Sequence, residues 1–273
     1  AWAMAAPSGE GATAILHLAH QWEYRGADEI DPNVVGTERL LAAARRAGGA
    51  RFIFASSVSA HSSSLNRYGR VKHRIEEQFL APNEIAARIG LVYGGPPHGQ
   101  WGTLFKLTRL SPLLPMLAPH TLVQPIHLDD LCEGLLRLAT APTPPVAAVV
   151  GLAAPAPIRF SAFLAAVARR CHQRPLVLLP IPIGVALFAV DLLARVPGMP
   201  KIDRERVLGL AGLRTLDTTA GLTALGLDLR SLEEGLERRR KMLLREGVVL
   251  LRHLLRRAPN SGMLRRYVRG VER

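Results

Sequence analysis

Three short apolar runs, spaced by helical periodicity, constrain this chain more than any other feature. AILHL (14–18), RFIFASS (51–57) and IAARIGLVYG (85–94) each read as buried strands. Between the first two, NVVGTERLLAAARRA (33–47) sets Val34, Leu40, Leu41 and Ala44 at helical spacing and stops at Gly48-Gly49. Between the second and third, Tyr68 to Leu80 forms another helical stretch, broken by Pro82-Asn83. Strand, helix, strand, helix, strand at this spacing predicts βαβ units and a parallel sheet, an α/β fold.

After Gly94 the texture changes. GGPPHGQWG (94–102) predicts a Gly/Pro-rich loop that reaches over a ligand, and a Leu/Pro-rich stretch runs on to Pro119. TLVQPI (121–126) predicts a short strand, Asp129 a cap for the helix DLCEGLLRLA (130–139), and VAAVVGL (146–152) a further strand. Ser161 starts a helix through Arg170. Leu176 to Val196 is apolar but carries Pro180, Pro182, Gly184, Asp191 and Arg195, which predicts a buried strand through Leu179 and then a helix, not a membrane span. From Asp203 the chain reads as helical, ending in a basic amphipathic stretch over 231–257.

Composition narrows the function classes. At 48% hydrophobic and 21% charged residues over 273 positions, the chain is globular. Its two cysteines, Cys132 and Cys171, lie far apart, so neither a disulfide scaffold nor a cysteine-based zinc cluster is expected, and both read as small buried apolar residues. The histidines show no metal-ligand spacing, and no metal is expected. The formal charge is +13, with 13 Lys+Arg against 5 Asp+Glu within 229–273. So uneven a distribution disfavours nucleic-acid binding. It leaves a basic tail that packs on the domain or meets a membrane surface or an acidic partner. Residues 1–13 lack a basic start followed by an apolar stretch, so no secretory leader is expected, and the chain reads as cytoplasmic or peripheral to a membrane.

The chemistry concentrates in one segment. Tyr68 and Lys72, four apart on a helix, lie on one face. An ammonium beside a phenol is expected to pull its pKa from about 10 toward neutrality, making the tyrosine a usable acid and base. Only 4 residues of this chain are lysines against 31 arginines, which makes a lysine here a specific choice of a compact point charge. Ser56 and Ser57 close the strand 51–57 at its carboxyl end, the edge at which α/β sheets bind ligands, where a hydroxyl can polarise a carbonyl.

HLAH (17–20), NVVGTERLLAAARRAG (33–48), FIFASSVSAH (52–61), YGRVK (68–72), ARIGLVYGG (87–95) and PIHLDDLCEGLLRLA (125–139) stand in an order and spacing that resembles the extended short-chain dehydrogenase/reductase superfamily, in its NAD-dependent epimerase/dehydratase branch. The resemblance implies a Rossmann-like parallel sheet with a smaller, helix-rich substrate part. It divides the chain into a partial NAD(P)-binding domain (1–95), a substrate-binding part interleaved with the sheet (96–240) and a basic helical tail (241–273). The family's first βαβ unit, with its Gly-rich turn for the pyrophosphate, is expected to be missing from residues 1–13. By the same resemblance Tyr68 is the acid/base, Lys72 lowers its pKa and holds the nicotinamide ribose, and Ser57 bonds the reacting oxygen. Ala19 and Gly90 line an NAD or NADP site, and His61, His98 and Trp101 contact a small-molecule substrate such as a nucleotide sugar. The implied activity is that of an epimerase, dehydratase or reductase, and the implied assembly a homodimer. The looser second half, DLRSLEEGLERR (228–239) included, is similar to the NAD(P)H-binding accessory subunit of respiratory complex I and implies the alternative of a non-catalytic assembly protein.

Overall fold

A computed structural model of the chain describes residues 14–22, 24, 26–48, 50–110, 112–117, 121–142, 147–182, 184–185 and 204–237. Its centre is a four-stranded parallel sheet in the order β1 (Ala14–His17), β2 (Arg51–Ser57), β3 (Glu84–Ile89) and β8 (Val149–Leu152). This is the α/β, Rossmann-like architecture that the alternation predicts. Because successive strand residues face opposite ways, β2 feeds two cores at once. Phe52 and Phe54 pack against α1 (Pro32–Arg46) and α2 (Arg67–Glu76) through Val34, Leu41, Ala44, Val71 and Ile75. Ile53 packs with Ile85, Ala87, Val150 and Leu152 under Leu131, Leu135 and Leu138 of α4 (Leu128–Thr140).

Local chemistry sets the element ends. Asp31 caps α1, accepting from the Asn33 amide at 2.7 Å, with Pro32 in the first turn where its missing N–H costs nothing. Asn66 caps α2 through the Gly69 amide. The sequence predicts that helix running on to Leu80, but it stops at Glu76. Buried Glu84 accepts from the Leu80 and Ala81 amides and from Arg45, which turns the chain back into β3. The cap of α4 is His127, whose Nδ1 accepts from the Asp129 amide, and not Asp129 itself. Cys132 is exposed and Cys171 half-buried, against the expectation of two buried thiols.

The run 85–94, expected as one strand, breaks at Gly90 into β3 and β4 (Leu91–Tyr93). A Cβ at Gly90 would lie 2.1 Å from the Gln124 carbonyl oxygen. The same carbonyl accepts from the Leu91 amide, so β4 leaves the main sheet to pair with β7 (Pro125–His127). TLVQPI splits correspondingly into β6 (Leu122–Val123) and β7. The substrate half adds α3 (Gly99–Leu110), β5 (Leu113–Leu117), β9 (Ile158–Arg159), α5 (Phe160–His172), β10 (Val177–Ile181), α6 (Arg204–Ala211) and α7 (Thr219–Ala224). Helix α3 begins inside the stretch expected as a ligand loop, leaving 94–98 outside regular structure. Strand β10 forms as expected but is not buried: it pairs only with β5, and one face of that ribbon is exposed. The segment after Asp203 is broken by coil at 213–218 and 227–231, not continuously helical. Among the described residues no helix is long and apolar enough to cross a membrane, and none of them cluster as a metal site. The expected tail, 241–273, lies outside the described residues.

Candidate active site

The carboxyl ends of β1, β2 and β3 form one edge, and the first turn of α2 is seated against it. Gly69 allows that seating, since a Cβ there would meet Ser64 Oγ at 2.1 Å and the Ser59 carbonyl oxygen at 2.3 Å. Tyr68, next to it, sits beside Ser57, the last residue of β2, whose hydroxyl accepts from the Ser59 amide at 3.2 Å. One turn on, Lys72 points into the protein at 2% exposure. Its Nζ donates to the Ala55 carbonyl oxygen at 2.7 Å, 4.3 Å from the centre of the Phe54 ring and 5.6 Å from that of Tyr68. Another turn on, buried Glu76 accepts from Ser56 Oγ at 2.5 Å and takes both arms of Arg88, at 2.6 Å for the shortest. Sheet register sets this up, because Ser56 on β2 lies directly opposite Arg88 on β3.

The protonation states differ from the sequence expectation. Burial pushes the Tyr68 phenol up to about 12, opposed only in part by the neighbouring Ser57 hydroxyl. Lys72 does not pull it toward neutrality, because its ammonium is directed at the Ala55 carbonyl and is itself pushed down to about 8 by burial, with Glu76 opposing. At neutral pH the site therefore presents a protonated phenol and a buried cation.

Lys72 gives a direct test. A lysine whose folded pKa is depressed costs stability wherever it is charged in both states, here below about 8, and the cost fades as pH rises toward the unfolded value of 10.5. A shift of this size corresponds to about 3 kcal/mol. Lys72→Met, after losing the bond to Ala55, is expected to be roughly 2 kcal/mol more stable at pH 7. Thermal melting at a series of pH values should show that advantage closing between pH 8 and 10.5. An equally large advantage at pH 10.5 would contradict the buried-charge account.

Residues singled out by sequence distribute unevenly. Ala19 follows β1 and Gly90 follows β3, so both lie on the Ser57 edge. His61 has both ring nitrogens engaged, by Ser63 and by the Gly212 carbonyl, which ties the loop after β2 to the end of α6. His98 is exposed just before α3. Trp101 is not beside Tyr68. It is buried in the core of the substrate half with Tyr93, Phe105 and Phe163, because α3 starts early and carries it inward. Asp130, in the first turn of α4, holds Arg230 at 2.7 Å. A cavity of about 430 Å³ beside it, lined by Tyr93, Arg169 and Arg230 among others, includes none of Ser57, Tyr68 and Lys72.

Sequence reasoning passed over the aromatic cover. Trp22, 64% exposed, stacks on the Tyr68 ring with centroids 5.1 Å apart and planes 12° apart. His20 stands edge-on to both rings, is pushed down to about 4 by burial and by Lys72, and keeps a buried Nδ1 with no hydrogen-bond partner. The surroundings fit the nicotinamide-ribose end of a dinucleotide: Lys72 uses one of its three N–H groups on Ala55, and His20 has an open ring nitrogen.

Residues 3–84 match the model of the NAD dependent epimerase/dehydratase family, the family to which the motifs point. The ceramide reductase of Caulobacter vibrioides is 32% identical over 135 residues, covering 49% of this chain and 42% of that protein. The chain thus spans about two fifths of the length of the curated relative it matches. Among solved structures, a human epimerase family protein with NADPH superposes at a TM-score of 0.63 with 17% identity, over 85% of this chain and 83% of that one. The UDP-glucose 4-epimerase of Thermus thermophilus in complex with NAD superposes at 0.57, also with 17% identity, over 84% and 76%. At these identities the likeness is one of fold.

Proposed function

We propose, for a chain whose residues 3–84 carry the pattern of the NAD dependent epimerase/dehydratase family, an NAD(P)-dependent oxidoreductase acting at a ketone or secondary alcohol through Ser57, Tyr68 and Lys72. The observation that carries it is the Tyr68 phenol beside Ser57 with the Lys72 ammonium buried behind it. A bound nicotinamide dinucleotide supplies or accepts the hydride at the reacting carbon. When the carbon receives the hydride, Tyr68, protonated at neutral pH, donates its phenolic proton to the oxygen of that carbon; in the reverse direction the hydroxyl proton returns to the Tyr68 oxygen, and Ser57 holds the same substrate oxygen by a second hydrogen bond. Lys72 offers its remaining N–H groups to the ribose hydroxyls and places a positive charge near the phenol as the proton leaves.

For substrate class, a hydroxylated lipid of the ceramide kind is favoured over a nucleotide sugar. A curated relative 32% identical over 135 residues is a ceramide reductase, and Trp22, stacked on Tyr68, is 64% exposed, with Leu18 at 58% and Leu65 at 52%. The test is a fluorescence titration of the protein with NADPH and NADH, followed by turnover of a long-chain keto-amide lipid and of UDP-glucose. Saturable binding with lipid turnover is expected. Turnover of UDP-glucose alone would move the substrate class, and absence of binding to either dinucleotide would remove the proposal.

A further inference from the structure

The ribbon of β5 and β10 has one face in the core, through Leu114, Met116 and Leu178, and the other outward. Register sets Leu113 beside Val177 and Pro115 beside Leu179, so the outward face is a contiguous apolar surface. Leu113 is 48% exposed, Val177 55% and Leu179 45%, and Leu110, just before the ribbon at the end of α3, is 78% exposed. Such surfaces on folded proteins mark sites of association.

Among the described residues the charge around it has one sign. Residues 85–128 contain no Asp or Glu, and neither do residues 134–190. Lys106 and Arg109 are exposed on the last two turns of α3, and the Arg174 guanidinium donates to the Arg109 carbonyl oxygen, holding the two arginines side by side next to Leu110. Helix α6 also packs on β5, but its Glu205 accepts from the Arg67 backbone amide. Arg169 lines a cavity with Glu233 and is left out of the set.

We propose that this surface, Leu110, Leu113, Val177 and Leu179 with Lys106, Arg109 and Arg174, docks on an anionic lipid bilayer. Apolar side chains flanked by cations and no carboxylate match the interface of such a membrane, where headgroup charge lies beside acyl chain. A second copy of the chain fits less well, since a symmetric contact would set Arg109 and Arg174 against their own copies. The inference stands apart from the catalytic reading, as none of these residues touches Tyr68 or Lys72.

The experiment is co-sedimentation of the full chain with vesicles of phosphatidylcholine alone, and of phosphatidylcholine with about a third phosphatidylglycerol, without dinucleotide. Binding to the anionic vesicles is expected, falling as salt is raised. Arg109→Gln with Arg174→Gln should weaken it by about five-fold per cation removed. Leu110→Gln with Val177→Thr and Leu179→Thr should abolish it while thermal melting stays unchanged, which keeps the test valid if the arginine variant folds poorly. Equal binding by the apolar variant and the wild type, or no wild-type preference for anionic vesicles, would overturn the proposal. So would a wild-type dimer in solution that the apolar variant dissolves.

Discussion

Tyr68→Phe is expected to cut turnover by about a thousandfold, the middle of the range for a positioned proton donor. The change is confined to one oxygen atom. The phenyl ring keeps its stack under Trp22 and its edge contact with His20, and Lys72 keeps its bond to Ala55. Stability should fall by no more than about 1 kcal/mol, the worth of one hydroxyl contact. Dinucleotide affinity should change by less than about three-fold if, as proposed, the ribose contact is made by Lys72. Measuring kcat and the dinucleotide Kd on one preparation separates the two effects. In the wild type, turnover should decline on the alkaline side as Lys72 loses its proton near 8, well before Tyr68 titrates near 12. Retention of wild-type turnover by the phenylalanine variant would end the assignment of Tyr68 as the acid.

The largest stability effect is expected at Arg88. Its guanidinium holds Glu76 with both arms in a largely buried site, so Arg88→Met leaves a buried carboxylate whose remaining hydrogen bond is from the Ser56 hydroxyl, with His73 Nδ1 at 3.8 Å. Breaking one partner of such a pair costs about 3–5 kcal/mol, because the desolvated charge left behind has lost its compensation. Adding Glu76→Gln to Arg88→Met should recover most of the loss, since the neutral amide keeps a bond to Ser56 and carries no charge. Urea denaturation of the two single variants and the double variant forms a complete cycle. Additive losses would mean that the pair is not a unit. Glu76→Gln should also move the alkaline limb of turnover below 8, because Glu76 is the group that raises Lys72.

The βαβ rhythm was legible because each of these strands is a run of apolar residues bounded by turn signals, and β2 coincides with RFIFASS. Tyr68 and Lys72 were legible because helical spacing alone puts them on one face. Glu76 continues the same face by one more turn, so the stripe 68, 72, 76 was available, but a glutamate on a helix is ordinarily a solvated residue. Only its pairing with Arg88, fixed by the register of β2 on β3, makes it part of the site. The split at Gly90 was hidden because ARIGLVY reads as one continuous strand, and the obstructing Gln124 carbonyl comes from much later in the chain. The inward place of Trp101 was hidden for a related reason. A Gly/Pro-rich stretch gives no indication that a helix begins within it at Gly99 and turns the indole inward.

The strand order has a consequence for how the molecule is made. Ser57, Tyr68, Lys72, Glu76 and Arg88 all leave the ribosome together with β2, α2 and β3, yet β3 gains its second neighbour only when Val149 aligns with Ala86 across all of α3, β5, β6, β7 and α4. At about 5–20 residues per second, the nascent chain carries an open parallel edge beside Ile85 and Ala87 for several seconds. During that interval the edge is free to pair with another nascent chain. Soluble yield should therefore depend on translation rate and growth temperature, even where the finished protein is stable.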